Sequence, residues 1–219
     1  MITAENIRKA LLKNLPGDES HSRMLPKNRA LKVAPNDKNH LKNSSVLLLL
    51  FPENNDLKIC LIKRPMHMKN HAGQIALPGG RIEKGETAIE TALRETNEEI
   101  GIDTSKIEIL GSLSELYVEV SRFIIHPFVG WLPKKPNFEI NVNEVEKIIL
   151  FPLNQFLSHP DEVELETIKG KLKVPCVQFD NEIIWGATAM ILSEFYDIVK
   201  INFFSRLHSG NDYSFRLPG

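Results

Sequence analysis

The chain has 219 residues, of which 42% are hydrophobic and 25% are charged, and its formal net charge is −1. This length suffices for one large domain with a substantial buried core, and the composition is that of an ordinary globular protein. A net charge so close to zero excludes the strong overall field that attracts nucleic acid or an anionic membrane. We therefore expect a globular protein that binds neither.

The cysteines and the apolar runs indicate the cellular compartment of the protein. Cys60 and Cys176 lie outside any Cys-x-x-Cys or metal-ligand spacing, which predicts buried free thiols in a reducing compartment. The longest apolar run, Val46–Phe51, is too short to span a bilayer. Charges interrupt the stretch Ile2–Leu15, so it does not have the pattern of a signal peptide. We predict a cytoplasmic protein.

The first 45 residues predict a helix followed by a basic arm. Thr3 is a typical N-cap, and Pro16 with Gly17 ends the helical pattern. The apolar face of this helix contains Ile7, Ala10 and Leu11. Residues 1–45 carry nine Lys or Arg against four Asp or Glu, and residues 18–45 are polar and contain two prolines. We expect an extended arm or loop over residues 18–45.

The rest of the chain predicts a mixture of strands and helices. Strands are predicted at 45–51, 57–64, 73–80, 106–120, 122–132, 147–152, 173–179 and 182–186. Helices are predicted at 87–100 and 186–201, with a short helix begun near residue 152. The mixed order indicates one α+β domain of 1–219, with a core at 46–199 and a C-terminal tail at 200–219.

The segment from Gly80 to Ile102 contains six glutamates and carries the strongest chemical signal. Thr87 and Glu90 form a T-x-x-E capping box that predicts the helix start, and Gly101 predicts its end. On a helical wheel, one arc contains Glu95, Glu98 and Glu99. The neighbouring arc, which we expect to face the core, contains Ile89, Leu93, Thr96 and Ile100.

Three carboxylates within about one helical turn repel one another and need a counter-charge. Mg²⁺ or Mn²⁺ would provide it, because hard divalent cations prefer oxygen ligands. Such an ion can polarise a phosphoryl group and help to ionise a bound water. The alternative is an ordinary surface helix whose glutamates are balanced by Arg81, Lys84 and Arg94.

The spacing of this segment resembles the Nudix box, the defining motif of the Nudix hydrolases. The pattern G-x5-E-x7-R-E-x-x-E-E-x-G, followed by an aliphatic residue, is matched by Gly80, Glu86, Arg94, Glu95, Glu98, Glu99, Gly101 and Ile102. Thr96 stands where the family more often has an aliphatic residue. The resemblance implies a Nudix fold, an α/β/α sandwich around a mixed β-sheet. It also implies a divalent-metal pyrophosphohydrolase that acts on a nucleoside diphosphate linked to another group.

The resemblance also assigns roles by position. The implied metal ligands are Glu95, Glu98, Glu99 and a backbone carbonyl of the loop at Gly79 and Gly80. Glu98 is our choice for the general base, while Arg94 and Glu86 would organise the catalytic loop and helix. Glu144 is a further candidate, because Nudix enzymes often bring a glutamate from a later loop; the alternative for Glu144 is a solvated loop residue.

The stretch before the box resembles the additional motif of the coenzyme A pyrophosphatase subfamily. The matching residues are Arg64, Gly73, Pro78, Gly79 and Gly80. The departures are Pro65, Lys69 and Leu77, where the subfamily usually has Ser or Ala, Arg and Phe. The resemblance implies substrate binding by Arg64, Lys69, Gly73 and Gln74. Lys69 keeps the charge of arginine but lacks its bidentate fork.

These features predict a Mg²⁺- or Mn²⁺-dependent hydrolase that cleaves coenzyme A or its thioesters. The products would be 3′,5′-ADP and 4′-phosphopantetheine or its acylated form. The departures keep open another Nudix activity, on ADP-ribose, NADH, a dinucleoside polyphosphate or an oxidised nucleotide. A non-catalytic Nudix module that senses a nucleotide is a third alternative, against which the complete R-E-x-x-E-E pattern argues. A homodimer is compatible with the sequence and not required by it.

Overall fold

The computed structural model describes residues 2–27, 29–35, 41–54, 56–157, 160–167 and 170–204. Part of the predicted arm, 36–40, and most of the predicted tail, 205–219, lie outside these residues. The α-helices are α1 (Ala4–Leu11), α2 (Asp18–Ser22), α3 (Ala88–Ile100) and α4 (Gly186–Val199). The strands are β1 (Lys42–Glu53), β2 (Asp56–Lys63), β3 (Ile75–Ala76), β4 (Gly79–Arg81), β5 (Glu108–Ser112), β6 (Leu116–Val118), β7 (Phe123–Trp131), β8 (Lys147–Pro152), β9 (Asp161–Thr167), β10 (Gly170–Phe179) and β11 (Glu182–Trp185). Short 3₁₀ turns occupy Thr104–Lys106 and Leu153–Leu157, and a π-helical turn occupies Lys200–Phe204.

Strand β1 lies at the centre of a mixed sheet that contains eight of the described strands. It runs parallel to β7, with Lys42–Leu50 alongside Phe123–Trp131. On its other edge it pairs antiparallel with β2 near its end and with β4 near its start, where Ser45 lies opposite Gly80. Strands β3 and β8 extend the sheet from β2, and β5 and β6 extend it from β7. Strands β9, β10 and β11 form a separate antiparallel sheet.

The consecutive leucines of β1 face both sides of the sheet, because successive strand side chains point to opposite faces. Leu47, Leu49 and Phe51 join a buried cluster with residues of α3. Leu48 and Leu50 join the other cluster, with residues of α1 and α4. Burying one such side chain stabilises the fold by about 1.5–3 kcal/mol. Helices therefore cover both faces of the mixed sheet, as the predicted α/β/α sandwich requires.

The N-terminal segment differs from the predicted arm. Helix α1 forms as predicted, and Thr3 and Asn6 cap it reciprocally. Residues Asp18–Ser22, however, form helix α2, and β1 begins at Lys42 inside the stretch predicted to be arm. The prediction of an extended arm over all of 18–45 is therefore wrong.

Long-range contacts that the local sequence does not reveal explain helix α2. His21 is fully buried, and its Nε2 lies 3.0 Å from Glu194 Oε2 on α4. Ser20 is also buried; its hydroxyl donates to Asp197, and its carbonyl accepts from the hydroxyl of Ser193 at 3.0 Å. These tertiary hydrogen bonds stabilise a helix that is too short to be stable alone.

Two further differences concern strands. The single strand predicted at 106–120 is a 3₁₀ turn followed by β5 and β6. Our sequence analysis assigns no element to Asp161–Thr167, which forms β9. It pairs with β10, where Glu164 and Lys171 approach to 2.7 Å and Glu162 and Lys173 to 2.8 Å. Cross-strand pairs of opposite charge stabilise adjacent strands.

Several other predicted features are confirmed. The helix at 87–100, the hairpin of β1 and β2 and the final apolar helix all form. Both cysteines are free and buried. None of the helices in the described ranges has the length and apolar character that a bilayer crossing needs.

Candidate active site

Helix α3 is fixed at both ends by local interactions, which sets the direction of its carboxylates. The Thr87 N–H donates to Glu90 Oε2 at 2.8 Å, and the Glu90 N–H donates to the Thr87 hydroxyl at 3.3 Å. At the other end, Gly101 adopts a φ of 68° and its N–H donates to the Asn97 carbonyl at 2.8 Å. Thr96 is buried, as predicted, and its hydroxyl donates to the Ala92 carbonyl at 2.7 Å.

Glu99 is a buried carboxylate at the last turn of α3, with a side chain only 1% exposed. Its Oε2 accepts from the Gly79 N–H at 3.0 Å, and its Oε1 lies 3.7 Å from a terminal nitrogen of Arg64. Burial, reinforced by the carboxylates of Glu95 and Glu144, raises the pKa of Glu99 to about 8. The Gly79 N–H and the Arg64 guanidinium act in the opposite direction but do not outweigh burial.

Three carboxylates converge here from two separate parts of the chain. Oxygens of Glu95, Glu99 and Glu144 all lie within 4.8 Å of one another. Burial and the carboxylates of Glu98 and Glu144 raise the pKa of Glu95, while Arg94 opposes that rise. Oxygen ligands at 2.0–2.6 Å from a hard cation stand no more than about 5 Å apart. The donor type and the spacing of this cluster therefore fit a divalent cation.

The two glycines of β4 allow the sheet to approach this cluster. A Cβ added at Gly80 would collide with the carboxylate of Glu95. A Cβ added at Gly79 would collide with the backbone of Ser45 and Val46 on β1. The Gly-Gly pair thus has a steric reason: any side chain here would separate β4 from β1 or displace Glu95.

Arg94 ties the loop before α3 to the carboxylates on the helix. Its guanidinium binds both oxygens of Glu86, at 2.7 and 3.1 Å. Its Nη1 donates to Glu95 and to Glu98 at 2.8 Å each, and its Nη2, which also binds Glu86, donates to the Arg81 carbonyl at 3.4 Å. Such bidentate pairing is specific to the planar arginine fork.

Glu86 holds the other end of this network. The Arg94 guanidinium, the Thr91 hydroxyl and the Glu83 N–H together lower the pKa of Glu86 to about 2. The carboxylate therefore stays ionised at neutral pH and remains a partner for Arg94. The organising role of Glu86 stays a prediction.

Glu98 lies apart from the three clustered carboxylates. Its side chain is 50% exposed and pairs with Arg94. Glu144, for which a solvated position was an open alternative, instead lies within the cluster. The roles predicted for Glu98, as a metal ligand and a general base, stay predictions.

The predicted substrate residues lie on the loop that joins β2 to β3. The loop closes where the Arg64 N–H donates to the Gln74 carbonyl and the Gly73 N–H donates to the Arg64 carbonyl, both at 3.0 Å. Gln74 Oε1 lies 2.8 Å from His71 Nδ1, and Lys69 is exposed on the loop. Arg64 is thus adjacent to Glu99, whereas Lys69 lies along the open part of the loop.

The Arg64 side chain has an unused donor. Its Nε is buried and has no hydrogen-bond partner among the described residues. A buried donor left without a partner costs about 1–3 kcal/mol.

Sequence reasoning missed Asn141, which contacts Glu144 directly. Its side-chain Nδ2 donates to Glu144 Oε1 at 3.2 Å. The only signal in the sequence is its place in the polar segment Asn-Val-Asn-Glu, a composition typical of turns.

A mixed sheet between helices thus carries three clustered carboxylates, with an arginine beside them, at one end of a capped helix. A sequence profile described as the NUDIX domain matches residues 41–169, more than half of the chain, and the chain belongs to this family. Nudix hydrolases are pyrophosphohydrolases of nucleoside diphosphate derivatives and generally use divalent metals.

Individual relatives agree with the family assignment. Nudix hydrolase 3 of Caenorhabditis elegans is 32% identical over 140 residues, which are 63% of this chain and 58% of that protein. The Nudix hydrolase NudL of Yersinia enterocolitica is 34% identical over 146 residues, which are 65% of this chain and 74% of that protein. The chain thus spans less than two thirds of the length of the worm relative.

A solved structure supports the fold. The crystal structure of a MutT/nudix family protein from Enterococcus faecalis superimposes with a TM-score of 0.51 and 20% sequence identity. The superposition covers 77% of this chain and 66% of that protein. Similarity at this identity supports the Nudix fold and says nothing about the substrate.

Proposed function

We propose that this chain is a Mg²⁺- or Mn²⁺-dependent pyrophosphohydrolase that cleaves coenzyme A or acyl-coenzyme A. The products would be 3′,5′-ADP and 4′-phosphopantetheine or its acylated form. The observation that carries the hydrolase proposal is the convergence of Glu95, Glu99 and Glu144 within 4.8 Å, with Arg64 beside them. The motif residues between Arg64 and Gly80 support the choice of coenzyme A.

Glu95, Glu99 and Glu144 are the residues that would hold the metal, with the backbone of Gly80 close to Glu95. When bound, the ion polarises a phosphoryl oxygen and lowers the pKa of a coordinated water. Three carboxylates supply the negative charge that balances the ion. Because burial raises the pKa of Glu99 to about 8, binding at neutral pH releases a proton from this site.

The remaining residues of the box position these ligands and handle the proton. Arg94 orients Glu95 and Glu98 through its hydrogen bonds, and Glu86 fixes Arg94 in turn. We assign Glu98 as the acceptor of the proton that the attacking water loses. Its carboxylate is half-exposed, pairs with Arg94 and lies about one helical turn from Glu95.

Cations next to the cluster would bind the anionic substrate. The Arg64 side chain is 22% exposed and one of its terminal nitrogens lies 3.7 Å from Glu99, so a phosphate that contacts this arginine would neighbour the metal ligands. Lys69, exposed on the same loop, is suited to the 3′-phosphate of coenzyme A as a point charge. Gly73 and Gln74 close this loop through Arg64, so they shape the substrate site.

Product analysis tests this proposal. The protein is incubated with coenzyme A, ADP-ribose and NADH in separate reactions, each with Mg²⁺, with Mn²⁺ or with a chelator. We expect metal-dependent release of 3′,5′-ADP from coenzyme A, faster than cleavage of the other two. Faster cleavage of ADP-ribose or NADH would contradict the coenzyme A assignment and retain the hydrolase. Binding of these compounds without any cleavage would contradict catalysis and favour a nucleotide sensor.

A further inference from the structure

The turn that carries Glu144 is anchored at both ends to the site. At its start, the Asn141 N–H donates to the Glu99 carbonyl, at 3.0 Å. Just beyond its end, the Glu146 N–H donates to the Lys63 carbonyl at 2.8 Å, and the Lys63 ammonium lies 3.2 Å from the Glu146 carboxylate. The turn therefore bridges the end of α3 and the end of β2, next to Arg64.

Backbone anchoring does not aim the Glu144 side chain. Glu144 is half-buried, and its carboxylate faces those of Glu95 and Glu99. The carboxylates of Glu95 and Glu144 repel each other at this distance, so an unrestrained Glu144 side chain would rotate toward solvent. A specific partner has to hold the carboxylate in place before a cation arrives.

Asn141 provides that partner and caps the turn at the same time. Its Nδ2 donates to Glu144 Oε1 at 3.2 Å, while its Oδ1 accepts from the Asn143 N–H at 3.2 Å. The reverse amide orientation would set acceptor against acceptor and donor against donor, so the two partners fix the assignment. A side-chain amide donates from one terminal atom and accepts at the other, which lets Asn141 reach both partners at once.

We propose that Asn141 is a positioning residue, which aims the Glu144 carboxylate at the cation site formed with Glu95 and Glu99. This inference rests on the proposed function, since it presupposes that the three carboxylates bind a divalent cation. Hydrogen bonds to a metal ligand commonly change metal affinity by 10–100-fold when they are removed. Asn141 would contribute in this way without touching metal or substrate.

The substitution Asn141→Ser separates the hydrogen bond to Glu144 from the hydrogen bond that caps the turn. Asn141→Ser keeps an oxygen that accepts from the Asn143 N–H, as serine does in turns, but is too short to reach Glu144. Asn143→Ser is the matched control, because Asn143 is exposed and its hydrogen bond to Asn141 comes from its backbone. A second pair, Asn141→Asp and Asn143→Asp, keeps side-chain length and adds equal charge, and only Asn141→Asp removes the donor to Glu144.

The experiment is a Mn²⁺ titration of the full chain, followed by electron paramagnetic resonance, together with thermal unfolding in chelator. We expect N141S to bind Mn²⁺ about tenfold more weakly than N143S, with similar metal-free melting temperatures. In an E144Q background, N141S should cause no further loss, because the carboxylate that Asn141 aims is gone. Asn141→Asp should likewise bind Mn²⁺ more weakly than Asn143→Asp. This second comparison tests the inference if N141S does not fold.

Three results would overturn the inference. Equal Mn²⁺ affinities of N141S and N143S, with normal binding by the wild type, would remove the role of Asn141 and leave the metal site intact. A loss of Mn²⁺ affinity from N141S that is as large in the E144Q background as in the wild type would also remove the role of Asn141. Absence of Mn²⁺ binding by the wild type would instead overturn the proposed metal site itself, and this inference with it.

Discussion

Glu99 is the residue at which function and stability conflict most sharply. Its carboxyl group is buried, and a charge in such a place is stable only with close partners. Gly79 and Arg64 supply one hydrogen bond and one distant ion pair, and these are insufficient to keep the pKa at its usual value. A bound cation would supply the opposite charge that the buried Glu99 carboxylate lacks. We therefore expect the ionised, metal-free site to lower the free energy of unfolding.

This conflict predicts how the stability of metal-free protein depends on pH. The pKa of Glu99 is raised from 4.5 to about 8 in the fold, so the folded state binds this proton more tightly than the unfolded chain. The stabilisation that this proton gives to the folded state is therefore fully present below about pH 4.5 and is lost as pH rises through about 8. In chelator, we expect the melting temperature of wild type to fall relative to that of Glu99→Gln between about pH 5 and pH 9.

Glu99→Gln removes only the titration of Glu99, so this variant is the control for all other titrating groups. Adding Mg²⁺ at the alkaline end should raise the melting temperature of wild type and have little effect on Glu99→Gln. Parallel pH profiles for the two proteins would show that Glu99 keeps an ordinary pKa.

At the scale of elements, the end of α3 and the segment that follows β7 form one unit. The last carbonyls of an α-helix lack partners within the helix. Here the carbonyls of Glu99 and Ile100 accept from the backbone N–H groups of Asn141 and Glu139, each at 3.0 Å. The segment that satisfies the helix end therefore also leads into the turn that bears Glu144.

Gly101 permits this close contact, and its replacement tests it. A Cβ at position 101 would lie 2.5 Å from the Cβ of Glu139 and 2.6 Å from its carbonyl oxygen. Gly85 also has a positive φ, 93°, but a Cβ there would meet nothing within 4 Å. We expect Gly85→Ala to lower the free energy of unfolding by about 1 kcal/mol from backbone strain alone. Gly101→Ala should cost about 1–3 kcal/mol more, because the new methyl overlaps Glu139.

Denaturant unfolding of the two variants measures this difference. Both substitutions are glycine to alanine at positive φ, so the comparison cancels the change in unfolded-state entropy. Equal losses for the two variants would mean that the segment at Glu139 shifts freely away from the helix end.

The elements that could be predicted are those whose signals are local. The capping box of Thr87 and Glu90, the terminal Gly101 and the apolar run of β1 each act within a few residues, and each is confirmed. Helix α2 could not be predicted because His21 is stabilised by a partner 173 residues away. The position of Glu144 beside Glu95 depends equally on tertiary contacts, and no spacing along the chain encodes it.

At the scale of the whole molecule, the hydrophobic core includes residues outside the range that the family profile matches. The NUDIX profile covers residues 41–169. One face of the sheet, however, is covered by a buried cluster that includes Ile7 and Met24 before this range and Phe195 after it. The outer segments are therefore part of the fold that supports the site.

A buried polar network joins these outer segments to the sheet. Glu194 on α4 is fully buried, and its oxygens accept from the Ser114 hydroxyl at 2.6 Å and the Gly17 N–H at 3.3 Å. His21 Nε2 lies 3.0 Å away. Burial alone raises the pKa of Glu194, but the hydrogen bonds from His21 and Ser114 outweigh it and lower the pKa below its ordinary value. One carboxylate thus connects α2, the β5–β6 connection and α4.

Glu194→Ala should therefore destabilise the whole protein. The change leaves His21 and the Ser114 and Gly17 donors buried without their acceptor, and breaking a buried pair typically costs about 3–5 kcal/mol. Glu115→Ala is the matched control, because Glu115 also pairs with a histidine, His126, at 3.1 Å, while its side chain is 67% exposed. The control should lose only a small fraction of that free energy, since exposed pairs contribute little. Denaturant unfolding of the full chain compares the two, and equal losses would show that the N-terminal segment is not anchored through Glu194.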